Sequence, residues 1–156
     1  MKILITGATG FVGKHLVKYL KDKHKLYILV RSDSDYSSLC VKQAFTFVDN
    51  IDQLAEYLCH EKIDGIIHLA SLYVVEHKSE QLKDLMLANI YLGTAILEAC
   101  KKASVKWFLN TGTIWQNYDV PDKSDEYNPV NLYAASKQAF ITMAKYYIET
   151  SHIRFC

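Results

Sequence analysis

Residues 2–13 read KILITGATGFVG. Lys2 to Thr6 is short, rich in Ile and Leu, and apolar at both parities, the pattern of a strand covered on both faces. The chain then passes Gly7, Gly10 and Gly13, three of its six glycines within seven positions. Val12, Leu16, Tyr19 and Leu20 follow at the spacing of an amphipathic helix. A strand, a glycine-rich turn and a helix thus open the chain, and the reading of the rest depends on whether that alternation continues.

It does. Leu26–Val30, Ala44–Val48, Asp64–Leu69, Val105–Asn110 and Ile153–Cys156 read as further strands. Helical periodicity covers Asp52–His60, through Leu54 and Leu58, and about Glu80–Lys102, with a stripe of Leu82, Met86, Asn89, Gly93, Ile96 and Cys100. A last helix covers Leu132–Thr150. Residues 116–130 hold both prolines and many polar groups and predict a long loop. Strand and helix alternating in this way predict an α/β fold of Rossmann type, a doubly wound parallel sheet, with residues 1–156 as one dinucleotide-binding domain.

Composition excludes several classes. Half of the 156 residues are apolar and 22% are charged, a globular balance. Eighteen Lys and Arg against seventeen Asp and Glu leave +1, which gives a nucleic-acid partner no support. The longest nearly apolar run, Gly65–Val75, is far short of the ~20 residues of a membrane helix, and the N-terminus does not read as a signal peptide. Cys40, Cys59, Cys100 and Cys156 show no paired spacing, so they read as reduced thiols of a cytoplasmic protein, with Cys59 and Cys100 on buried helix faces. The six histidines are scattered, and no metal site is expected.

The glycine turn has a physical purpose. Gly7 permits a sharp turn off the strand, Gly10 lets backbone approach a pyrophosphate at the helix N-terminus, and Gly13 lets the helix pack closely on the sheet. The spacing Gly-x-x-Gly-x-x-Gly resembles the extended short-chain dehydrogenase/reductase family, also called the NAD-dependent epimerase/dehydratase family. That resemblance places a cofactor diphosphate against Gly7, Thr9, Gly10, Phe11, Val12 and Gly13. At the end of strand two, where an acid would bond the ribose of NAD, stand Arg31 and Ser32. An Arg there would neutralise a 2′-phosphate, so NADPH is preferred over NADH.

Tyr133-Ala-Ala-Ser-Lys137 opens the last helix. Residues four apart share a helix face. A tyrosine of ordinary pKa, ~10, is a poor proton carrier at neutral pH, and a neighbouring ammonium that stabilises the phenolate makes it usable. Strand five runs into Asn110-Thr111-Gly112-Thr113. In the family a Ser or Thr at this strand end bonds the substrate oxygen; Thr111 lines up with it, and Thr113 is the second candidate. His68-Leu69-Ala70-Ser71 resembles the family's segment lining the cofactor, with His68 read as structural. Asn50 and Ile51 fall where the family contacts adenine, although the usual Asp is here Asn50. Asn89, before Gly93-Thr94, matches a family helix, with a role near the nicotinamide or in bracing the sheet.

The resemblance implies hydride transfer between a sugar carbon and nicotinamide on a nucleotide-sugar substrate. Tyr133 would move the hydroxyl proton, Lys137 would lower its pKa and hold the nicotinamide ribose, and Thr111 would orient the substrate. Gly112 and Thr113 replace the Asp-Glu of 4,6-dehydratases, which argues against dehydration. The Thr-Gly-Thr-x-Trp-Gln string looks most like synthases reducing CDP-4-keto-3,6-dideoxyhexoses, as in O-antigen biosynthesis. The alternatives are an NAD-dependent nucleotide-sugar 4-epimerase and a non-catalytic NADP-binding module. Family dimers pair the helices corresponding to 80–102 and 131–150, so a homodimer is expected, with Tyr133, Phe140, Met143, Tyr146 and Tyr147 as apolar residues of the second helix. Family members are about twice this length. A chain ending inside strand six is expected to lack the substrate lobe and to turn over weakly alone.

Overall fold

The computed structural model describes residues 1–41, 43–117 and 127–156. Among these, six strands lie parallel in one sheet: β1 (Lys2–Thr6), β2 (Lys25–Val30), β3 (Ala44–Thr46), β4 (Gly65–His68), β5 (Trp107–Asn110) and β6 (Arg154–Phe155). Their order is β3-β2-β1-β4-β5-β6, the Rossmann arrangement, which reverses direction between β1 and β4. In register, Thr6 lies beside Leu29 on one side and His68 on the other, and His68 beside Asn110. The ends of β1, β4 and β5 therefore form one edge.

Alternation along the buried strands divides the core. Leu4, Tyr27, Leu29, Ile66 and Phe108 point to one face, covered by α2 (Ile51–Glu61), α4 (Leu92–Ala103) and α5 (Leu132–Thr150). Ile3, Ile5, Ile28, Val30 and Ile67 point to the other, where α1 (Phe11–Leu20) supplies Val17. Helix α3 (Leu82–Met86) runs into α4 through a π-helical stretch, Leu87–Tyr91. No helix among the described residues is long and apolar enough to cross a membrane.

Several sequence expectations need correction. The buried stripe of α1 is Gly13 and Val17, flanked by half-buried Leu16 and Leu20; Val12 and Tyr19 are exposed. The close approach at Gly13 fixes which face meets the sheet, and Tyr19 instead lies under the Lys23 ammonium, 3.7 Å from the ring centroid. Cys59 is exposed, because Leu54, Ala55 and Leu58 define the buried side of α2; Cys100 is buried as expected. In the third helical region Leu85 is buried and Leu82 exposed. One extra residue in the π turn shifts the phase, so a single period does not fit both halves. β3 stops at Thr46, leaving Val48 exposed. Within 116–130, a short 3-10 turn covers Ile114–Gln116 and Asn117 bridges to Asn128; residues 118–126 of the expected loop lie outside the described residues.

Candidate active site

The glycine turn is shaped by what it touches. Gly7 has φ +68°, and a side chain there would sit 2.7 Å from the Ala70 backbone nitrogen. That crowding exists because the segment after β4 is tied to β1: Leu69 N–H donates to the Thr6 carbonyl (3.3 Å) and Ala70 N–H to Thr6 Oγ1 (3.1 Å). A β-carbon on Gly13 would come within 2.6 Å of Ala8 Cα and closer still to the Gly7 carbonyl. Gly10 differs, since a β-carbon there meets only the Gly7 oxygen, at 3.3 Å.

Helix α1 begins with no side-chain cap and no acid in its first turn. Its leading amides, which cannot bond within the helix, leave a positive dipole end without a protein anion. Phe11 and Val12, which carry two of those amides, are 82% and 60% exposed beside exposed Gly10 and half-buried Thr9. The turn thus fits a dinucleotide diphosphate: donors unpaid by protein, and a glycine where backbone must approach the ligand.

Arg31 and Ser32 stand exposed just beyond β2, with Arg31 Nε 3.4 Å from Asp33 Oδ1. An exposed pair like this is worth about 0–1 kcal/mol and exchanges readily. Asn50 caps α2, its side-chain oxygen accepting from Gln53 N–H (3.0 Å), and Ile51 is half-buried behind it. The Asn50 oxygen is therefore engaged in helix capping. The lysine-rich surface lies elsewhere: Lys2, Lys21, Lys23, Lys25 and Lys62 line an open basin of about 660 Å³ at the starts of the strands.

His68 joins the remaining parts. Its ring is 1% exposed, bonds Thr6 Oγ1 through Nδ1 (2.8 Å) and packs against Phe108 and Phe140. Burial, and then the charge of Lys137, push its pKa down to about 3, so the ring is neutral. Its carbonyl accepts from Thr111 Oγ1 (3.2 Å), which holds that hydroxyl at the end of β5. Thr113 is committed otherwise: its oxygen accepts from Trp115 N–H (3.4 Å) and its own N–H donates to Gln116 Oε1 (2.8 Å). Of the two threonines, Thr111 is the one whose hydroxyl bonds the end of β4.

Tyr133, Lys137, Phe140, Ala144 and Tyr147 form the buried stripe of α5, which begins at an Asn131 cap accepting from Ala134 N–H (2.8 Å). Lys137 is only 2% exposed, and burial pushes its ammonium down to about 8. Met143 and Tyr146 face outward. Asn89, at the centre of the π turn and 2% exposed, holds both backbone groups of Leu72: Leu72 N–H donates to its oxygen (2.7 Å), and its amide donates to the Leu72 carbonyl (3.0 Å). The same amide donates to Ser136 Oγ (2.9 Å), which donates to the Tyr133 carbonyl (2.7 Å). Asn89 thereby braces the segment after β4 against the helix carrying Tyr133 and Lys137. Ser71 is exposed beside this brace, with Leu69 and Ala70 half-buried.

Sequence reasoning missed three features here. They are the Thr6–His68 pair, the Asn89–Ser136 link, and an aromatic group in which Tyr73 and Trp115 meet Tyr133. Periodicity is blind to all three, because each joins residues remote in the chain. The π turn alone had a local trace, an Asn on an otherwise apolar stripe.

A search of known proteins is consistent with this geometry. CDP-abequose synthase of Salmonella muenchen is 31% identical over 95% of this chain and 48% of its own length. dTDP-D-glucose 4,6-dehydratase of Dictyostelium discoideum is 35% identical over 87% of the chain and 38% of its own. Among solved structures, a UDP-glucose 4-epimerase superposes with TM-score 0.86 at 23% identity, covering 99% of this chain and 50% of that one. UDP-glucuronic acid 4-epimerase from Bacillus cereus, solved with UDP-glucuronic acid and NAD, superposes with TM-score 0.82 at 22% identity, covering 99% and 55%. The chain spans 38–55% of the length of these relatives. A family model described as the NAD dependent epimerase/dehydratase family matches residues 3–156, and the chain belongs to that family.

Proposed function

We propose that this chain forms the cofactor-binding part of an NADPH-dependent reductase acting at C4 of a CDP-linked 4-keto-deoxyhexose. The observation that carries this reading is the placement of Tyr133 and Lys137 on the buried face of α5, the face whose Phe140 packs on His68 (5.5 Å between ring centroids) where that ring bonds Thr6, next to Gly7. A nicotinamide cofactor held at the first turn of α1 would supply the hydride. Tyr133 delivers the proton that turns the ketone into a hydroxyl, and the Lys137 ammonium steadies the phenolate that remains. Thr111 bonds the substrate oxygen, releasing its hold on the His68 carbonyl to donate. Gly112 and Thr113 carry no carboxyl group, so nothing at those positions removes or returns water. The likeness to CDP-abequose synthase supports a CDP-linked substrate.

For Tyr133→Phe, single-turnover NADPH oxidation with CDP-4-keto-3,6-dideoxyglucose should slow by about 10²–10⁴-fold, the usual worth of a positioned acid. NADPH affinity should hold. A wild-type rate in the Phe variant contradicts the assigned role.

Arg31 is the residue proposed to meet the 2′-phosphate, with Ser32 beside it. Arg31→Ala should weaken NADPH by about tenfold or more, the scale of a charged hydrogen bond, and leave NADH unchanged. Equal affinities of the two nucleotides for wild type would refute the preference. Asp33, paired with Arg31, supports a second reading in which an acid serves the ribose of NAD and the enzyme is a 4-epimerase. Products from UDP-galactose against the CDP-keto sugar separate the two.

Exposed Leu82, Leu87 and Tyr91 on one helical stretch, and Met143, Tyr146 and Ile148 on α5, support a homodimer through these helices. The four free thiols suit a cytoplasmic setting.

A further inference from the structure

Tyr73 and Trp115 have no assigned part in this chemistry, yet both adjoin its proton carrier. Their rings stack at 5.6 Å and 28°. Each stands nearly perpendicular to Tyr133, at 5.1 Å and 81° for Tyr73 and at 6.5 Å and 86° for Trp115. Tyr133 is 8% exposed, whereas Tyr73 is 57% exposed despite its two ring contacts. Ile114, next to Trp115, is 83% exposed. An apolar surface thus lies open at the sheet edge where ligands of such folds bind, directly beside the phenol.

The surface is held in place from both sides. Asn89 fixes the amide and carbonyl of Leu72, the residue before Tyr73. Trp115 N–H donates to Thr113 Oγ1, the Trp115 carbonyl accepts from Val130 N–H (3.2 Å), and Gln116 Nε2 donates to Gln138 Oε1 on α5 (2.7 Å). Two buried side chains and a capped turn are committed to presenting the two rings.

We propose that Tyr73 and Trp115 form a sugar-selecting wall that takes the deoxygenated side of a hexose, the C3 methylene and C6 methyl, while the C4 oxygen reaches Tyr133. The proposal rests on the nucleotide-sugar reading above and names the residues that would choose among such sugars. A ring face accepts C–H groups and offers no partner to a hydroxyl that has lost water. In a hydrophobic pocket a single methylene changes selectivity by about 10–200-fold. A fully hydroxylated hexose would leave its 3- and 6-hydroxyls against the rings and bind more weakly.

The test measures CDP-linked 3,6-dideoxyhexose and CDP-glucose by saturation-transfer NMR, with NADPH titrated separately by calorimetry. Wild type, Tyr73→Ala and Tyr73→Phe are compared; the exposure of Tyr73 makes both variants compatible with folding, which melting curves verify. In wild type the C6 methyl and C3 protons should receive the strongest saturation, and the dideoxy sugar should bind about tenfold or more tighter than CDP-glucose. Tyr73→Ala should remove that preference, Tyr73→Phe should keep it, and NADPH affinity should be the same in all three. Unchanged selectivity in Tyr73→Ala, equal binding of the two sugars by wild type, or no dideoxy-sugar binding overturns the wall. Failure of NADPH to bind wild type overturns the reductase reading instead, and sugar selectivity that survives it still supports the wall.

Discussion

Gly13→Ala should lose about 3 kcal/mol or more of stability, at the upper end of overpacking costs, and lower the melting midpoint by about 6–12 °C for a domain of this size. The added methyl would meet two pieces of backbone, Ala8 Cα at 2.6 Å and the Gly7 carbonyl. Neither can swing aside as a flexible side chain would. Relief requires α1 to rise off the sheet, which also displaces its leading amides, so NADPH affinity should fall with stability. Gly10→Ala separates the two effects. Gly10 has φ −75° and ψ 174°, which suit alanine, and its β-carbon would meet only one atom, at 3.3 Å. That variant should change stability by no more than about 1 kcal/mol. It should still bind NADPH at least about tenfold more weakly, because the methyl occupies the approach to the diphosphate. Thermal melts and calorimetry on the pair check this; equal melting midpoints would contradict the assigned roles.

Lys137→Met should make the protein more stable at pH 7 by about 1–3 kcal/mol while removing the chemistry proposed for it. The ammonium is buried, and burial holds its pKa at about 8 against an ordinary 10.5. Between those values the unfolded chain binds the more protons, so wild-type stability climbs as pH rises. The Lys137 contribution is complete above pH 10.5 and is lost as pH falls through 8. Keeping the charge buried at neutral pH costs up to about 3 kcal/mol, a cost that fits the functional role proposed for this position. Methionine has similar length and no charge, so the gap between variant and wild type should be widest below pH 8 and close toward pH 10.5. A variant that melts below wild type at pH 7, or a gap constant with pH, would show that Lys137 is not held against its own charge.

The parts of the fold written locally were legible in the sequence. The β1–turn–α1 unit, the alternation and the Tyr133–Lys137 pair depend on neighbours within a few residues, and spacing captures them. What failed depended on packing that the spacing of apolar residues does not record. The phase of α1 is set by Gly13 pressing on Ala8, not by its most apolar stripe. The phase of 82–103 is broken by the π turn that aims Asn89 at Leu72 and Ser136, 17 and 47 residues away in sequence. Cys59 reads as core by residue type, yet one step past Leu58 it turns to solvent. Thr111 and Thr113 are equivalent in spacing and were separated only by their partners, His68 for one and Trp115 for the other.

The dinucleotide is proposed to lie across the β1–β4 edge with its diphosphate on the first turn of α1. Titrating NADPH into ¹⁵N-labelled protein and following every backbone amide locates it. The largest shifts should fall at residues 7–13, with a second group at Leu69–Ser71. No shifts, or shifts confined to the lysine-lined basin around Lys2, Lys25 and Lys62, would contradict it.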